Sequence, residues 1–159
     1  MEFYITDINE DIREKVNNIL IEEWESTNIV VRGNIIDGTK LDGFVAVSNE
    51  QIVGLVTYVF KDTECEIISL NSFIENIGIG TALINKVREI AKNNNCHILK
   101  LVTTNNNIKA FGFYQKRGFI ISKVYINAME TARKLKPQIP MVDENNLPIR
   151  DEIEFIINF

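Results

Sequence analysis

Cysteine, histidine and proline are scarce in this chain. Two cysteines and one histidine occur in 159 residues, and Cys65 and Cys96 lack the close spacing of metal ligands. This pattern disfavours both a metal centre and a disulfide framework. We therefore expect no metal, reduced thiols and a cytoplasmic location.

A long apolar run and an excess of positive charge are also missing. No segment approaches the roughly 20 apolar residues that span a bilayer, and no basic segment leads into an apolar run at the N-terminus. The net charge of −5 provides no uniform positive field. We expect neither a membrane nor a nucleic acid as partner.

The composition that is present is that of an ordinary globular domain. Hydrophobic residues make up 45% and charged residues 25% of the chain. A chain of this length can bury one contiguous core, so we expect a single domain over 1–159. All three prolines fall in 136–150, which is either a linker or a loop leading to a last strand at about 152–158.

Apolar periodicity predicts the order of the elements. After a strand at 2–7 come a helix over roughly 9–26 and, over 27–42, a loop with a short helical turn. Three close strands then form an antiparallel meander, followed by alternating helices and strands. The predicted strands are 44–48, 52–60, 65–73, 98–103 and 119–126, and the predicted helices are 79–93 and 107–117.

Two glycines, Gly78 and Gly80, join the fourth predicted strand to a helix. Glycine lets main-chain N–H groups approach an anion, and the first helical turn offers unpaired donors and partial positive charge. A dinucleotide-binding fingerprint does not fit, because its third glycine is replaced by Leu83 and three strands precede the strand that leads into the turn. A P-loop does not fit either, because this chain lacks the Gly-Lys-Ser/Thr of that motif. Phosphate binding by another type of fold is therefore indicated.

A second segment, 107–119, reads Asn-Ile-Lys-Ala-Phe-Gly-Phe-Tyr-Gln-Lys-Arg-Gly-Phe. Together with Glu75-x-x-Gly78-x-Gly80, it resembles the two motifs of the GNAT superfamily of N-acetyltransferases. These motifs are Arg/Gln-x-x-Gly-x-Gly/Ala and Asn-x-x-Ala-x-x-Phe-Tyr-x-x-x-Gly-Phe. The resemblance covers about residues 2–127, and the tail resembles one bacterial subgroup. Glu75, where the family carries Arg or Gln, is the one departure.

The resemblance implies a fold and an activity. The fold is a mixed α/β sandwich around about seven mostly antiparallel strands, with the fourth and fifth strands parallel and splayed. The activity is direct transfer of an acetyl group from acetyl-CoA to a primary amine of a small molecule, by a monomer or a homodimer. Two alternatives stay open: a non-catalytic module that senses acetyl-CoA, and a protein or peptide N-acetyltransferase.

The resemblance also implies which residues bind coenzyme A. Main-chain groups of the fourth strand would hold the pantetheine arm, and the glycine turn would hold the pyrophosphate. In a solvated groove, the carboxylate of Glu75 beside the diphosphate would reduce the binding free energy of coenzyme A by about 0.5–1 kcal/mol, which weakens binding without abolishing it. The residues assigned to the cofactor are Leu70, Ser72, Glu75, Gly78, Ile79, Gly80, Thr81 and Asn107.

The remaining candidates concern proton transfer and the acceptor. The resemblance gives Tyr114 the role of proton donor, which suits a phenol with a pKa of about 10. Glu66 is the predicted base and Glu64 a substrate residue, the alternative being two solvated edge charges. Trp24 is either part of the acceptor wall or a core residue. Acidic neighbours are expected to raise the pKa of Cys65, which favours direct transfer over an acyl-cysteine.

Overall fold

The computed structural model describes residues 1–159, which form four helices and nine strands. A single 3-10 turn spans Gly38–Lys40. The helices are α1 (Glu10–Trp24), α2 (Ile79–Asn93), α3 (Ile108–Lys116) and α4 (Ala128–Leu135). The strands are β1 (Tyr4–Asp7), β2 (Asn28–Val31), β3 (Asn34–Asp37), β4 (Asp42–Ser48), β5 (Gln51–Lys61), β6 (Glu64–Ser72), β7 (Ile98–Thr104), β8 (Ile120–Tyr125) and β9 (Glu152–Asn158).

Seven strands form one sheet in the order β1-β4-β5-β6-β7-β9-β8, and β2 and β3 form a separate hairpin. The pairs β1–β4, β4–β5, β5–β6 and β8–β9 are antiparallel. The predicted fold class, a mixed α/β fold with about seven mostly antiparallel strands, is confirmed. None of the helices has both the length and the apolar character that crossing a bilayer requires.

The chain divides into two compact units. The first unit comprises Met1–Ile29, Asp37–Leu99 and Phe159. The second unit comprises Val30–Ile36 and Lys100–Asn158. The expectation of a single domain over 1–159 stays a prediction.

Helix α1 of the first unit follows its sequence signals closely. The side chain of Asn9 caps its N-terminus by accepting a hydrogen bond from the Ile12 N–H at 3.2 Å. Val16 and Leu20, one turn apart on the apolar stripe, are fully buried. Glu25 ends the helix in the left-handed conformation at φ 61°. The predicted helix over roughly 9–26 is therefore confirmed.

Helix α2 supplies much of the core of the first unit. Its buried residues recur about every three or four positions and so lie on one face, as the period of an α-helix requires. That face packs against β4, β5 and β6. The helix stops at Asn93, within the predicted run of asparagines. Its buried residues are Ile79, Gly80, Leu83, Ile84, Val87 and Ala91.

The core of the second unit is aromatic. Phe155 of β9 and Phe119 are almost fully buried. Gly118 adopts φ 96° just after α3, the left-handed conformation in which glycine commonly ends a helix. Helix α4 buries Met129 and Ala132. The sequence did not predict this short helix.

The prediction of a loop over 27–42 is wrong for most of that segment. Two four-residue strands, β2 and β3, are joined by Arg32 and Gly33, with φ of 49° and 75°. Positive φ at both positions is what a tight hairpin turn requires. The sequence carried the signal, since Ile-Val-Val and Ile-Ile flank a glycine. The short helical turn was predicted correctly and is the 3-10 turn after β3.

Residues 136–150 form a loop that is held by hydrogen bonds and leads into the last strand, and they are not a linker. The Arg133 guanidinium donates hydrogen bonds to the main-chain carbonyls of Ile139, Pro140 and Ile149. The Asp143 carboxylate accepts from the main-chain N–H of Leu147 at 3.0 Å. The chain then enters β9, so the predicted last strand is confirmed.

Candidate active site

The turn before α2 has the geometry that anion binding requires. Gly78 is the N-cap of the helix at φ 85° and ψ 14°, a region that disfavours side chains. A Cβ added to Gly78 would meet no heavy atom within 4 Å, so the space beside it is open. Because glycine has no side chain to accept from the first-turn N–H groups, an external anion can do so.

The charges around this turn also favour an anion. No acidic residue lies in the first turn of α2, so the positive end of the helix dipole is not neutralised there. Ile79 and Gly80 are buried and Thr81 is half-buried, which fixes the turn in the core. The Glu75 side chain is exposed, so water screens its carboxylate. These residues fit the diphosphate of coenzyme A.

Gly54 of β5 lets α2 begin where it does. A Cβ on Gly54 would lie 2.4 Å from Ile79 Cγ2 and 3.1 Å from Leu83 Cδ1. Any larger residue would therefore push the first turns of α2 away from the sheet. The sequence alone does not single out Gly54, because a glycine within a strand signals close approach only when its neighbour is known.

Strand β6 contains a bulge in the middle of the segment predicted to hold the pantetheine arm. The register pairs Thr57 with Ser69 and Tyr58 with Ile67, which leaves Ile68 without a partner on β5. A bulge places main-chain groups of the extra residue outside the regular ladder. The N–H groups near Ile68 are therefore candidate donors to an oxyanion. The alternation of residue types does not reveal this extra residue.

The bulge changes which side chains of β6 share a face. Counting by twos places Glu66 with Leu70, whereas the register with β5 places Glu66 with Ser69 and Asn71. Asn71 Nδ2 donates to Glu23 Oε2 at 3.4 Å, so this face is turned toward α1. Asn71 Oδ1 is buried and accepts no hydrogen bond, which makes it a candidate acceptor for a substrate N–H.

Glu66 is buried on this face, and only 7% of it is exposed. The alternative of a solvated edge charge is therefore wrong for Glu66, whereas Glu64 is half-buried. Trp24, also half-buried, follows Glu23 at the end of α1, next to the contact with Asn71. The first unit thus places the predicted base and the predicted acceptor-wall residue on elements that contact each other.

Leu70 and Ser72 occupy the end of β6 nearest the glycine turn. Leu70 is half-buried and pairs with Val56, while Ser72 is exposed and pairs with Gly54. Ser72 Oγ donates to the Ile74 carbonyl at 3.1 Å, so its hydroxyl stabilises the turn itself.

Cys65 is a poor nucleophile, although the main cause is not the one that the sequence suggested. Burial raises the pKa of the Cys65 thiol to about 12, with smaller contributions from Cys96 and Glu66. Both cysteines are free and buried, as predicted. The thiolate population at neutral pH is therefore negligible, which supports direct transfer.

Tyr114 lies in the second unit, in an aromatic cluster. Its ring centroid is 5.7 Å from that of Phe119, 5.6 Å from Phe155 and 5.5 Å from Phe113. Burial raises the pKa of Tyr114 to about 12. The ring is held in place and the phenol stays protonated over the physiological range, as a proton donor requires.

Asn107 starts α3 without capping it through its side chain. Its Nδ2 donates to Thr103 Oγ1 at 3.1 Å. Arg117 Cζ lies 3.7 Å from the Phe113 ring centroid, and Arg117 Nη1 donates to the Phe113 carbonyl. The guanidinium therefore stabilises the end of α3.

In the second unit, Asn105 connects the end of β7 to the segment that leads into β9. Its Oδ1 accepts from the main-chain N–H of Arg150 and of Asp151, both at 3.0 Å, and its Nδ2 donates to the Pro148 carbonyl. Asp151 in turn accepts from the Asn127 N–H at 2.8 Å. Asp151 is buried, whereas the side chain of its charged partner Arg150 is exposed.

A model of the Acetyltransferase (GNAT) family matches residues 9–119. This chain belongs to the GNAT acetyltransferase family. The uncharacterized protein YxbD of Bacillus subtilis (strain 168) is 46% identical over 142 residues, or 89% of each chain. Among solved structures, the IAA acetyltransferase from Bacillus cereus ATCC 14579 matches with a TM-score of 0.76 at 20% identity, covering 99% of this chain and 100% of that one.

A second solved structure is a GNAT family acetyltransferase from Elizabethkingia anophelis with acetyl-CoA bound. Its TM-score is 0.69 at 21% identity, and the match covers 99% of this chain and 98% of that one. The predicted superfamily and enzyme class, an acyl-CoA-dependent N-acetyltransferase, are confirmed at the level of the family. The predicted cofactor agrees with the acetyl-CoA complex. The roles of individual residues, the acceptor, the oligomeric state and the compartment stay predictions.

Proposed function

We propose that this GNAT enzyme transfers an acetyl group from acetyl-CoA directly to a primary amine of a small molecule. The observation that carries the proposal is the open glycine turn at the start of α2, reached by a strand whose ladder is interrupted by a bulge. The turn suits a diphosphate. The bulge suits an extended arm that needs main-chain partners.

Main-chain groups hold the donor in this proposal. The N–H groups of the turn at Gly78–Thr81 bind the diphosphate, and those of Leu70 and Ser72 bind the pantetheine arm. Acetyl-CoA supplies a thioester whose carbonyl carbon is the electrophile. N–H groups near Ile68 stabilise negative charge on the carbonyl oxygen.

Two protons must move for the reaction to balance. The amine nitrogen forms a bond to the acetyl carbon and loses a proton, while the bond from that carbon to sulfur breaks and the sulfur gains one. Glu66 accepts the first proton and Tyr114 provides the second. An alkylamine with a pKa of about 10.4 is neutral in only about one molecule in 2,500 at pH 7. The ammonium form must therefore first release one further proton to the solvent, for which a base is needed.

The acceptor binds beside β6, on the face turned toward α1. Trp24 provides an apolar wall, and Glu64 attracts a cationic amine. Asn71 Oδ1, buried and without a hydrogen bond, accepts from the amine. A face bounded by half-buried side chains suits a compact amine better than an extended peptide.

Replacement of Tyr114 by phenylalanine tests the assignment. The ring contacts with Phe119 and Phe155 persist and only the hydroxyl is lost, so kcat should fall about 10²-fold or more with an unchanged Kd for coenzyme A. Thiol release from acetyl-CoA measures turnover, and calorimetry measures binding. The matched control is Tyr58→Phe, since burial raises the pKa of Tyr58 to about 12 as well.

Three results would decide against parts of this proposal. Normal turnover in Tyr114→Phe removes Tyr114 from the chemistry. Binding of acetyl-CoA without thiol release across a panel of amines supports a sensor. Acetylation of peptides but of no small amine supports a protein acetyltransferase.

Glu66→Gln tests the base. The variant should lose about 10²-fold in kcat/KM at neutral pH. Its kcat/KM should recover as the pH approaches the pKa of the free amine, because the acceptor then arrives deprotonated. Glu14→Gln is the control, since Glu14 is an exposed residue of α1 that has no role in the proposed reaction. If Glu66→Gln loses kcat/KM by the same factor at every pH, Glu66 has a structural role and is not the base.

A further inference from the structure

Two buried hydroxyl groups lie directly beside the bulge of β6. Thr57 of β5 and Ser69 of β6 are opposed in the register, and their hydroxyl oxygens are 2.5 Å apart. Thr57 is fully buried and only 2% of Ser69 is exposed. Burial of a hydroxyl group is unfavourable unless the group is hydrogen-bonded. Each of these two groups therefore depends on the other residue facing it.

The apolar residues next to this pair do not specify the register of the two strands. Ile67 and Ile68 of β6 are both buried. On β5, Val56 and Tyr58 flank Thr57 and are buried as well. Either isoleucine can therefore lie opposite an apolar neighbour, and burial of apolar surface alone does not decide where the extra residue of β6 falls.

The hydroxyl pair does decide where the extra residue falls. Without an extra residue in β6, Ile68 would face Thr57. Ser69 would then face Val56 on the other face of the sheet. Both hydroxyl groups would be buried and separated from each other, which is destabilising. The bulged register keeps them together.

The position of the bulge determines two features of the proposed site. It places the main-chain groups near Ile68 outside the regular ladder, where they can donate to the thioester oxygen. It also brings Asn71 onto the face of Glu66, since in a regular strand residues an odd number apart point to opposite faces. The oxyanion donors, the base and the acceptor side of β6 therefore all depend on one irregularity.

We propose that Thr57 and Ser69 are positioning residues for acetyl transfer. Their hydroxyl pair holds the bulge in place, and the bulge in turn places the main chain near Ile68 against the thioester. A buried polar pair can select one register among others of similar hydrophobicity. The inference rests on the proposed function, in which Glu66 is the base and Asn71 contacts the amine.

Removal of one hydroxyl group at a time tests the proposal. Thr57→Val nearly keeps the shape of threonine, and Ser69→Ala loses only the oxygen. Each variant should lower kcat for an amine that the wild type acetylates by about 10- to 100-fold, because a misplacement of about 1 Å has an effect of this size. The Kd for coenzyme A should stay the same, since the glycine turn lies outside the bulge.

Two controls separate positioning from stability. Ser48→Ala removes another buried hydroxyl group of the same sheet, one that donates to the Glu2 carbonyl at 2.7 Å. It should lower the melting temperature and leave kcat unchanged. Thr57→Ser loses a methyl group but keeps the hydroxyl group, so it should retain most of kcat. If Thr57→Ser loses as much kcat as Thr57→Val, the hydroxyl pair is not the cause.

The double variant Thr57→Val with Ser69→Ala distinguishes register from stability. It leaves neither hydroxyl group buried without its partner, so its melting temperature should exceed that of either single variant. Its kcat should stay low, since the apolar residues do not select the bulged register. Recovery of kcat together with the melting temperature would show that the pair acts only through stability.

Infrared spectroscopy of bound acetyl-CoA tests the positioning without any acceptor. With an isotopic label in the thioester carbonyl, the stretching band of the wild-type complex should lie below that of free acetyl-CoA, because the donors near Ile68 polarise the carbonyl. In Thr57→Val and Ser69→Ala the band should return toward the free position. A band that is unshifted in the wild type, or equally shifted in the variants, would overturn the inference. If the band behaves as expected but no amine is acetylated, the proposed function fails and the positioning role stands.

Discussion

Substitution of Gly78 by alanine isolates the contribution of the glycine turn. An alanine forced into the left-handed region costs about 1–2 kcal/mol. For a chain of 159 residues, this cost lowers the melting temperature by about 2–8 °C. No contact is lost, since the space around the new Cβ is open.

The same methyl group should weaken the binding of coenzyme A. It would stand where the diphosphate approaches the main chain, and loss of one charge-assisted hydrogen bond costs about 1.5–3 kcal/mol. The Kd should therefore rise about 10- to 100-fold. Calorimetry measures the Kd, and thermal denaturation without ligand measures the stability.

Two further variants separate strain from obstruction. Gly112→Ala in α3 also meets nothing within 4 Å, but at ordinary helical dihedrals, so it should stabilise the protein by up to about 1 kcal/mol. Gly78→Asn tolerates the left-handed conformation yet carries a side chain, so it should retain stability and still bind poorly. An unchanged Kd in both Gly78 variants would contradict a diphosphate site at this turn.

Three other predictions concern packing and titration. In Gly54→Ala the new Cβ would lie 2.4 Å from Ile79 Cγ2, so the variant should lose about 1–3 kcal/mol of unfolding free energy in urea and bind coenzyme A more weakly. A wild-type unfolding free energy and Kd would show that α2 adjusts to the extra methyl group without cost. Hydrogen bonds, first from Arg150 and then from Asn127, lower the pKa of Asp151. The stabilising effect of its carboxylate is therefore present above the unfolded pKa of about 3.9 and is lost as the pH falls through the folded pKa. The difference in unfolding free energy between wild type and Asp151→Asn should be full at about pH 6 and shrink below about pH 3.9, and a constant difference would count against an ionised Asp151. Cys65, with its pKa raised to about 12, should react with a thiol reagent at pH 8 only after unfolding, and rapid native labelling would contradict its burial.

Local signals predicted the elements that carry strong signals of their own. The apolar stripe of α1 placed that helix within two residues at each end. The hairpin at Arg32 and Gly33 and the helix α4 were missed because each is short, and short elements depend on packing for stability.

The acceptor side of the site could be predicted only in part. Glu66 was recognised as a candidate, but its burial and its face depend on the bulge at Ile68. An extra residue in one strand exchanges the faces of all residues beyond it relative to those before. Because the pairing strand decides where the extra residue falls, no pattern within β6 alone reveals it.

The sequence by itself determined the family, the glycine turn and the tyrosine of the second motif, because these depend on residue identity at fixed spacing. Tertiary structure alone decided that Gly54 makes room for α2, that Glu66 is buried beside Ser69 and Asn71, and that β8 lies at an exposed edge. These properties belong to pairs of segments distant in the chain, and only the folded chain brings such segments into contact.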